Sequence, residues 1–330
     1  MLCSFIIPAY NASNTIVRCL DSIYTLALNV ADFEVIVIDD CSKDNTIDVV
    51  EEYAKQHTNI TLLRQAENHR QGAARNRGVA IAKGKYIVYV DSDDESAKGV
   101  VDALQLAEKN NLDMVAMHYV NVDQHGNITE KEPITWDGVF TGVELQIKHS
   151  NWCSGPVPYV YNAFFLKSVN YPFSEDVLFE DADYVIVHLH YAKRLMYEVS
   201  CGYKIHFNTM STTHTLTYRH CTDYFMLGTR ILDFFNSLDN KTTEYALFLL
   251  EDGSHGIWNA CRRLIKLSSL TNVYAFYDYL DKCIERKSLI HYNQPAYCWT
   301  LWTKICLKHK RLAIILIAIG QWIYKLKNII

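Results

Sequence analysis

The chain has 330 residues, of which 49% are hydrophobic and 21% are charged, and its formal net charge is −5. This composition is typical of a globular protein and excludes a disordered chain, a collagen-like chain and a disulfide-rich miniprotein. The acidic total charge argues against a body that binds nucleic acid.

The first 120 residues alternate short apolar runs with amphipathic stretches. The runs predict five strands, at residues 3–8, 34–39, 60–64, 86–90 and 114–120. The stretches between them predict helices near residues 15–26, 46–57, 72–82 and 98–110. Because the runs lack polar–apolar alternation, both faces of each strand should be covered. The β-α-β-α order therefore predicts a doubly wound, mainly parallel α/β sheet with flanking helices.

The pattern changes after residue 120. Glycine and proline recur from residue 126 to residue 158, which indicates loops and hairpins. From residue 223 onward the apolar spacing is helical, at residues 224–238, 243–250, 257–267 and 273–284. We therefore predict an α/β domain over residues 1–215 and a helical extension over residues 216–330.

The C-terminal tail differs from the rest of the chain in charge. Residues 1–285 hold all 37 acidic residues with 24 Lys and Arg, whereas residues 286–330 carry a net charge of +8. The apolar run at 312–324 would form a helix of about 20 Å, shorter than the bilayer core of about 30 Å. We therefore predict a helix that lies on the inner face of the membrane as a peripheral contact. The alternative is a helix docked on the α/β domain.

The cysteines and the N-terminus indicate the cellular compartment in which the protein folds. Ten cysteines occur singly, without the Cys-x-x-Cys spacing of zinc or redox sites, and are typical of reduced core residues. The N-terminus lacks the basic start and long apolar run of a secretion signal. We therefore expect a cytoplasmic protein.

Two acidic clusters follow predicted strands. Asp39 and Asp40 end the second strand, and Asp91, Asp93 and Asp94 follow the fourth. Because the carboxyl ends of parallel strands share one edge, the clusters should lie close together. Clustered carboxylates repel one another, and a hard divalent cation such as Mg²⁺ or Mn²⁺ would relieve that repulsion. The alternative for the second cluster is capping of the next helix, which needs only one of its side chains.

Five segments in order resemble the motifs of family-2 glycosyltransferases with the GT-A fold: residues 4–11, 35–44, 72–78, 84–86 and 90–94. The resemblance covers about residues 2–215 and implies a pocket for a nucleoside-diphosphate sugar, with Asp40 as the partner of the base. By this resemblance, Pro8, Tyr10, Asp39, Asp40, Arg75 and Asp91 are expected to bind the nucleotide sugar, and Asp93, Asp94 and His206 to bind Mn²⁺ or Mg²⁺.

The resemblance also implies a general base downstream, at the acidic pair Glu180-Asp181, where Asp181 matches the base. An attacking sugar hydroxyl has a pKa far above 7, so a carboxylate must take its proton as the new bond forms. From the residues alone, a surface turn with a helix cap is the favoured interpretation of this pair.

Two departures from the family pattern affect the site. Cys41 stands where the family has glycine, and we expect a negative φ there because only glycine tolerates a positive one freely. His206 lies in an altered segment, and a packed or surface histidine is the alternative to its role at the metal.

The sequence thus predicts an inverting, metal-dependent hexosyl- or N-acetylhexosaminyltransferase. Its donor would be a UDP-sugar and its acceptor a hydroxyl of a glycan or lipid-linked glycan, in bacterial surface-polysaccharide or lipopolysaccharide assembly, with no nucleic-acid partner. A nucleotidyltransferase and a non-catalytic nucleotide-sugar-binding protein are the alternatives. The chain has no early Gly-rich phosphate loop, which disfavours the first, and the retained Asp181 disfavours the second.

Overall fold

The structure, a computed structural model, describes residues 1–136, 138–149, 152–208, 216–267, 275 and 314–319. The chain divides into two compact units, Met1–Thr209 and Met210–Ile330. The domain boundary predicted at residue 215 falls among residues 209–215, outside the described part.

The first unit is built on one mixed sheet, in which nine strands are described. They are β1 (Cys3–Ala9), β2 (Phe33–Asp39), β3 (Ile60–Arg64), β4 (Tyr86–Tyr89), β5 (Glu95–Ser96), β6 (Met114–Val122), β7 (Ile128–Glu130), β8 (Tyr159–Asn162) and β9 (Leu195–His206). The order is β3-β2-β1-β4-β8-β6-β9-β5, with β7 paired to β6. Strands β1 to β4 are mutually parallel, and β8 runs antiparallel to β4 and β6.

Helices cover both faces of this sheet, as the uninterrupted apolar runs require. They are α1 (Ile16–Tyr24), α2 (Thr46–Ala54), α3 (Arg70–Ile81), α4 (Gly99–Asn110), α5 (Gly142–Lys148), α6 (Ala163–Val169) and α7 (Asp181–Tyr191). Every residue of β1, β2 and β4 is buried. The predicted mainly parallel, doubly wound α/β sheet is confirmed.

The second unit contains two long helices in its described part, α8 (Tyr218–Ser237) and α9 (Glu244–Lys266). The sequence pattern predicted two helices where α9 is one. Gly253 and Gly256 interrupt the apolar pattern, but both lie against Gly228 of α8, where a Cβ on Gly256 would come within 2.9 Å of the Gly228 Cα. The glycines thus permit close helix packing rather than a break.

The predicted helix at 273–284 lies outside the described residues. Within the predicted tail helix, residues 314–319 are described and are helical. A helix able to span a bilayer is not found among the described residues.

Candidate active site

The acidic clusters meet at the carboxyl edge of the parallel strands. The ends of β1 and β2 are joined where the Asp40 amide donates to the Ala9 carbonyl at 2.8 Å. Asp91 follows β4, the neighbour of β1 on its other side. Glu180 and Asp181 reach this edge at the start of α7. The structure therefore gathers the predicted carboxylates on one side of the sheet.

A buried guanidinium connects these groups. Arg75 lies on α3 with 2% of its side chain exposed, and its Nη2 is 2.7 Å from Asp91 Oδ1. Its Nη1 is 2.7 Å from Glu180 Oε1. Both terminal nitrogens are therefore held by carboxylates, so Arg75 ties the loop after β4 to the start of α7. Its predicted contact with a diphosphate stays a prediction.

The amino-terminal part of α3 packs closely against the segment that leads to Glu180 and forms hydrogen bonds with it. A Cβ on Gly72 would lie 2.3 Å from the Ser174 carbonyl oxygen, so only glycine allows this approach. Asn76 donates to the Phe173 carbonyl and accepts from the Phe173 amide, each at 2.9 Å. Sequence reasoning assigned no role to Asn76 and Glu180. Gly72, Arg75 and Asn76 are spaced so that they share one face of the helix, and this spacing could have indicated a face in contact with another segment.

The loop of Asp91, Asp93 and Asp94 is anchored to β9. The Tyr203 hydroxyl accepts from the Asp91 amide at 2.9 Å and donates to Asp94 Oδ2 at 3.0 Å. The His206 amide donates to Asp94 Oδ1 at 2.7 Å. Burial and the charges of Asp91 and Asp93 raise the pKa of Asp94 to about 8. Both Asp94 oxygens thus have protein partners that hold the loop in place, and the role of Asp94 as a metal ligand stays a prediction.

The capping alternative for this loop is wrong. Helix α4 begins at Gly99, its N-cap is Lys98, and no side chain caps it. The acidic loop ends before that helix and instead bonds to β9 as described above. None of its carboxylates is therefore used to cap that helix.

Asp91 and Asp93 fit a hard cation in their donor chemistry. Asp93 accepts at Oδ2 from Asn208 at 2.7 Å, and Asp91 accepts at Oδ1 from Arg75. The second oxygen of each accepts no hydrogen bond from another described residue. Burial and Asp91 raise the pKa of Asp93, which is the crowding that a cation would relieve. Among the described residues no three His, Cys, Asp or Glu are grouped to hold a metal. Two carboxylates plus ligand oxygens would be needed.

His206 lies beside this loop with its ring next to Glu95. Its Nε2 is 3.0 Å from Glu95 Oε1 but lacks hydrogen-bond geometry. Lys204 and Arg18 also contact the Glu95 carboxylate, at 3.2 and 3.5 Å. Burial and the Arg18 charge lower the pKa of His206, which favours the neutral ring that metals bind. Its role as a metal ligand stays a prediction.

The two aspartates after β2 have different partners. Asp40 Oδ1 accepts from Gln65 at 2.7 Å and from the His69 amide at 2.8 Å, and burial raises the pKa of Asp40. Asp39 is 1% exposed and accepts at Oδ2 from the Ser42 amide at 3.1 Å. Its Oδ1 is buried without a hydrogen-bond partner among the described residues. A buried acceptor without a partner is unusual in a folded protein.

The backbone conformation of Cys41, in the turn after β2, differs from the prediction. The expectation of a negative φ at Cys41 is wrong, since its φ is +65°. The tight turn that brings the Ser42 amide to Asp39 requires this conformation, which glycine would adopt without cost. Of the other two predicted pocket residues, Pro8 is buried within β1 and Tyr10 is 48% exposed at its end.

Asp181 is the first residue of α7 and is partly buried. Burial and the Glu180 charge raise its pKa to about 7, against the opposing effect of Arg75. No side chain in the described part of the chain donates a hydrogen bond to it. The N-cap of α7 is Glu180, without a side-chain cap bond, so Asp181 does not cap the helix. Its carboxylate is suited to accept a proton.

Comparison with known proteins settles the family. The model of glycosyl transferase family 2 matches residues 4–170, which is half of the chain. The chain belongs to glycosyl transferase family 2. All the candidate residues up to Asp94 lie within the matched segment, and Asp181 and His206 lie after it.

Curated relatives are similar in sequence to parts of the chain. A poly(ribitol-phosphate) beta-glucosyltransferase of Bacillus spizizenii is 40% identical over 95 residues, which are 28% of this chain and 15% of that protein. The uncharacterized glycosyltransferase EpsJ of Bacillus subtilis is 30% identical over 203 residues, which are 59% of this chain and 58% of EpsJ. The chain thus spans less than two thirds of these relatives.

Solved structures show the fold. Residues 1–349 of Staphylococcus aureus TarS, in complex with UDP-GlcNAc, align over 99% of this chain and 92% of that chain, with a TM-score of 0.66 and 19% identity. The mannosyltransferase PcManGT of Pyrobaculum calidifontis, in complex with GDP-Man and Mn²⁺, aligns over 97% of this chain and 86% of that chain, with a TM-score of 0.53 and 16% identity. The predicted GT-A fold is confirmed.

Replacing Arg75 by Met should lower the free energy of unfolding by about 3–5 kcal/mol, because Glu180 and Asp91 then lose a buried counter-charge. The midpoint of unfolding in urea measures this change. Arg64→Met is the matched control, since its ion pair with Glu51 is about half exposed and should contribute at most about 1 kcal/mol. Equal midpoints for the two variants would contradict the structural role of Arg75.

Proposed function

We propose that the protein is an inverting, metal-dependent glycosyltransferase that moves a hexosyl or N-acetylhexosaminyl group from a UDP-sugar to a hydroxyl of a glycan or lipid-linked glycan. One observation supports this most strongly. In a family-2 chain, the buried guanidinium of Arg75 bonds both to Asp91, on the acidic loop after β4, and to Glu180, which directly precedes the candidate base Asp181.

The nucleotide end of the proposed pocket is the turn after β2. Asp40 stays the proposed partner of the base, with its Oδ1 held by Gln65 and the His69 amide. Asp39 Oδ1 has no hydrogen-bond partner among the described residues but is closed to solvent, so the turn would have to move before a ligand could reach it. The UDP-GlcNAc bound by TarS supports a UDP-sugar, and the exposed ring of Tyr10 stands at the end of the neighbouring strand β1.

At the acceptor end of the proposed pocket, the chemistry begins with a proton transfer. Asp181 takes the proton of the acceptor hydroxyl, whose oxygen attacks the anomeric carbon on the face opposite the leaving diphosphate, so the configuration inverts. A Mn²⁺ or Mg²⁺ ion held by Asp91 and Asp93 would neutralise the charge on that diphosphate. Asp94 keeps the loop in place through Tyr203 and the His206 amide.

The proposed acceptor and location rest on the names of two relatives and on the charge of the C-terminal tail. TarS and the Bacillus spizizenii relative are named as poly(ribitol-phosphate) glycosyltransferases, which supports a surface polysaccharide as acceptor. A peripheral contact between a basic tail and the inner face of the membrane would suit a lipid-linked acceptor. That tail lies largely outside the described residues.

The direct test uses purified protein with UDP-glucose, UDP-GlcNAc, GDP-mannose and a CMP-sugar, each with and without Mn²⁺. Calorimetry measures binding, and the free nucleotide measures turnover. We expect Mn²⁺-dependent binding of a UDP-sugar and release of UDP. With methyl glycosides of glucose and N-acetylglucosamine present as acceptors, binding without release would indicate a non-catalytic binding protein, and no binding of any of these sugars would overturn the proposal.

Asp181→Asn should lower turnover by about 10²–10⁴-fold, because an amide cannot take the proton of the acceptor. Donor affinity should stay within about twofold, since the proposed role of Asp181 is to take a proton from the acceptor. Asp48→Asn, which changes an exposed carboxylate on α2, is the control and should leave turnover unchanged. A variant at Asp181 with near wild-type turnover would remove this residue from the mechanism.

The rate should rise with pH through about 7, because the pKa of Asp181 is raised to about 7 and only the ionised carboxylate accepts a proton. Below that value the carboxyl is protonated and the rate falls. The profile of kcat/KM against pH measures this step in the free enzyme, and the residual rate of Asp181→Asn should lack it. A wild-type profile that is flat across this range would contradict the assignment.

A further inference from the structure

The segment of residues 152–158 passes beside the candidate base and is anchored on both sides of Gly155. The Tyr159 hydroxyl donates to the Cys153 carbonyl at 2.7 Å, and the Tyr161 hydroxyl donates to the Pro156 carbonyl at 3.2 Å. Both tyrosine rings are buried in the core. The Gly155 amide also donates to Cys153 Sγ at 3.3 Å. The backbone at Gly155 therefore cannot withdraw without breaking these bonds.

Gly155 faces the carboxylate of Asp181. A Cβ built on it would lie 3.9 Å from Asp181 Oδ2 and 3.6 Å from Cys153 Sγ, which are ordinary van der Waals contacts. Its φ is outside the left-handed region. Neither backbone conformation nor a clash requires glycine here, in contrast to Gly72. The lack of a side chain at Gly155 leaves open the space next to one oxygen of the base.

That space is where an acceptor has to approach. A hydroxyl that gives its proton to Asp181 must come within about 2.6–3.2 Å of a carboxylate oxygen, and in a sugar that hydroxyl is carried on a bulky ring carbon. A methyl group at Gly155 would already touch Oδ2, and a branched side chain would cover more of it. Water is small enough to reach the same oxygen past such a group.

We propose that Gly155 is a specificity-determining residue that keeps Asp181 Oδ2 open to a carbon-bearing hydroxyl and so favours transfer to a sugar acceptor over hydrolysis. The inference rests on the proposed function of Asp181. In both reactions the attacking oxygen gives its proton to Asp181 and bonds to the anomeric carbon, and the bond to the diphosphate oxygen breaks with its electron pair. Gly155 affects only which oxygen nucleophile fits.

The first test needs no substrate. Protein labelled with ¹³C at aspartate carboxyls gives the pKa of Asp181 by NMR titration, with Asp181→Asn used to assign the signal. Gly155→Val should raise this pKa above the wild-type value, because its methyl groups displace water from Oδ2. Ser154→Val, at an exposed position of the same segment, is the matched control and should not raise it. Equal titrations for the two variants would overturn the inference.

The second test measures the choice between nucleophiles. Wild type, Gly155→Ala, Gly155→Val and Ser154→Val are given UDP-GlcNAc and Mn²⁺, with methyl glycosides of glucose and N-acetylglucosamine as acceptor probes. UDP release and glycoside product give the ratio of transfer to hydrolysis. We expect Gly155→Val to lower this ratio by about tenfold or more, with Gly155→Ala between it and wild type. Ser154→Val should match wild type.

The outcomes separate the inference from the function on which it rests. An active wild type whose ratio is unchanged in Gly155→Val would overturn the inference alone. A wild type that neither binds nor turns over any nucleotide sugar would overturn the proposed function, while the titration would still report whether Gly155 faces Asp181. If Gly155→Val fails to fold, Gly155→Ala decides both tests, since its methyl fits without displacement.

Discussion

The candidate site depends on the burial of one guanidinium between two carboxylates. Arg75 meets Asp91, which is 16 residues away in the chain, and Glu180, which is 105 residues away. Removing the charges of Arg75 and Glu180 from water is costly, and only close pairing makes it tolerable. The ion pairs therefore hold in one geometry two loops that no sheet hydrogen bond joins. Gly72 and Asn76 add the close approach that brings the second loop to α3.

The site contains more negative charge than Arg75 can balance. The pKa values of Asp93, Asp94 and Asp181 are all raised, chiefly by burial and then by neighbouring carboxylates. A structure selected for stability alone would not place these groups together, and such conflicts concentrate at functional sites. The close spacing of these carboxylates has two consequences in the proposed function. It favours a divalent cation near Asp93, and it gives Asp181 a pKa suited to proton transfer near neutral pH.

The sequence predicted those features of the fold and the site that depend on the local pattern of residues. Apolar runs without alternation fixed the covered parallel strands, and strand ends located the acidic clusters at one edge. It could not show that Asp94 is held by Tyr203 and His206, because those partners lie over 100 residues away. Nor did it show that Arg75 faces inward, since a basic residue on a helix is usually exposed. The positive φ of Cys41 was missed because non-glycine residues rarely adopt it.

In the proposed mechanism, Asp181 lies across the reacting carbon from the diphosphate held near Asp91 and Asp93, so that transfer is a single displacement. The anomeric configuration of the first product tests this most directly. Proton NMR of the fresh reaction mixture, recorded before mutarotation or hydrolysis, reports it through the coupling constant of the anomeric proton. We expect a configuration opposite to that of the donor sugar. A product that retains the donor configuration would contradict it.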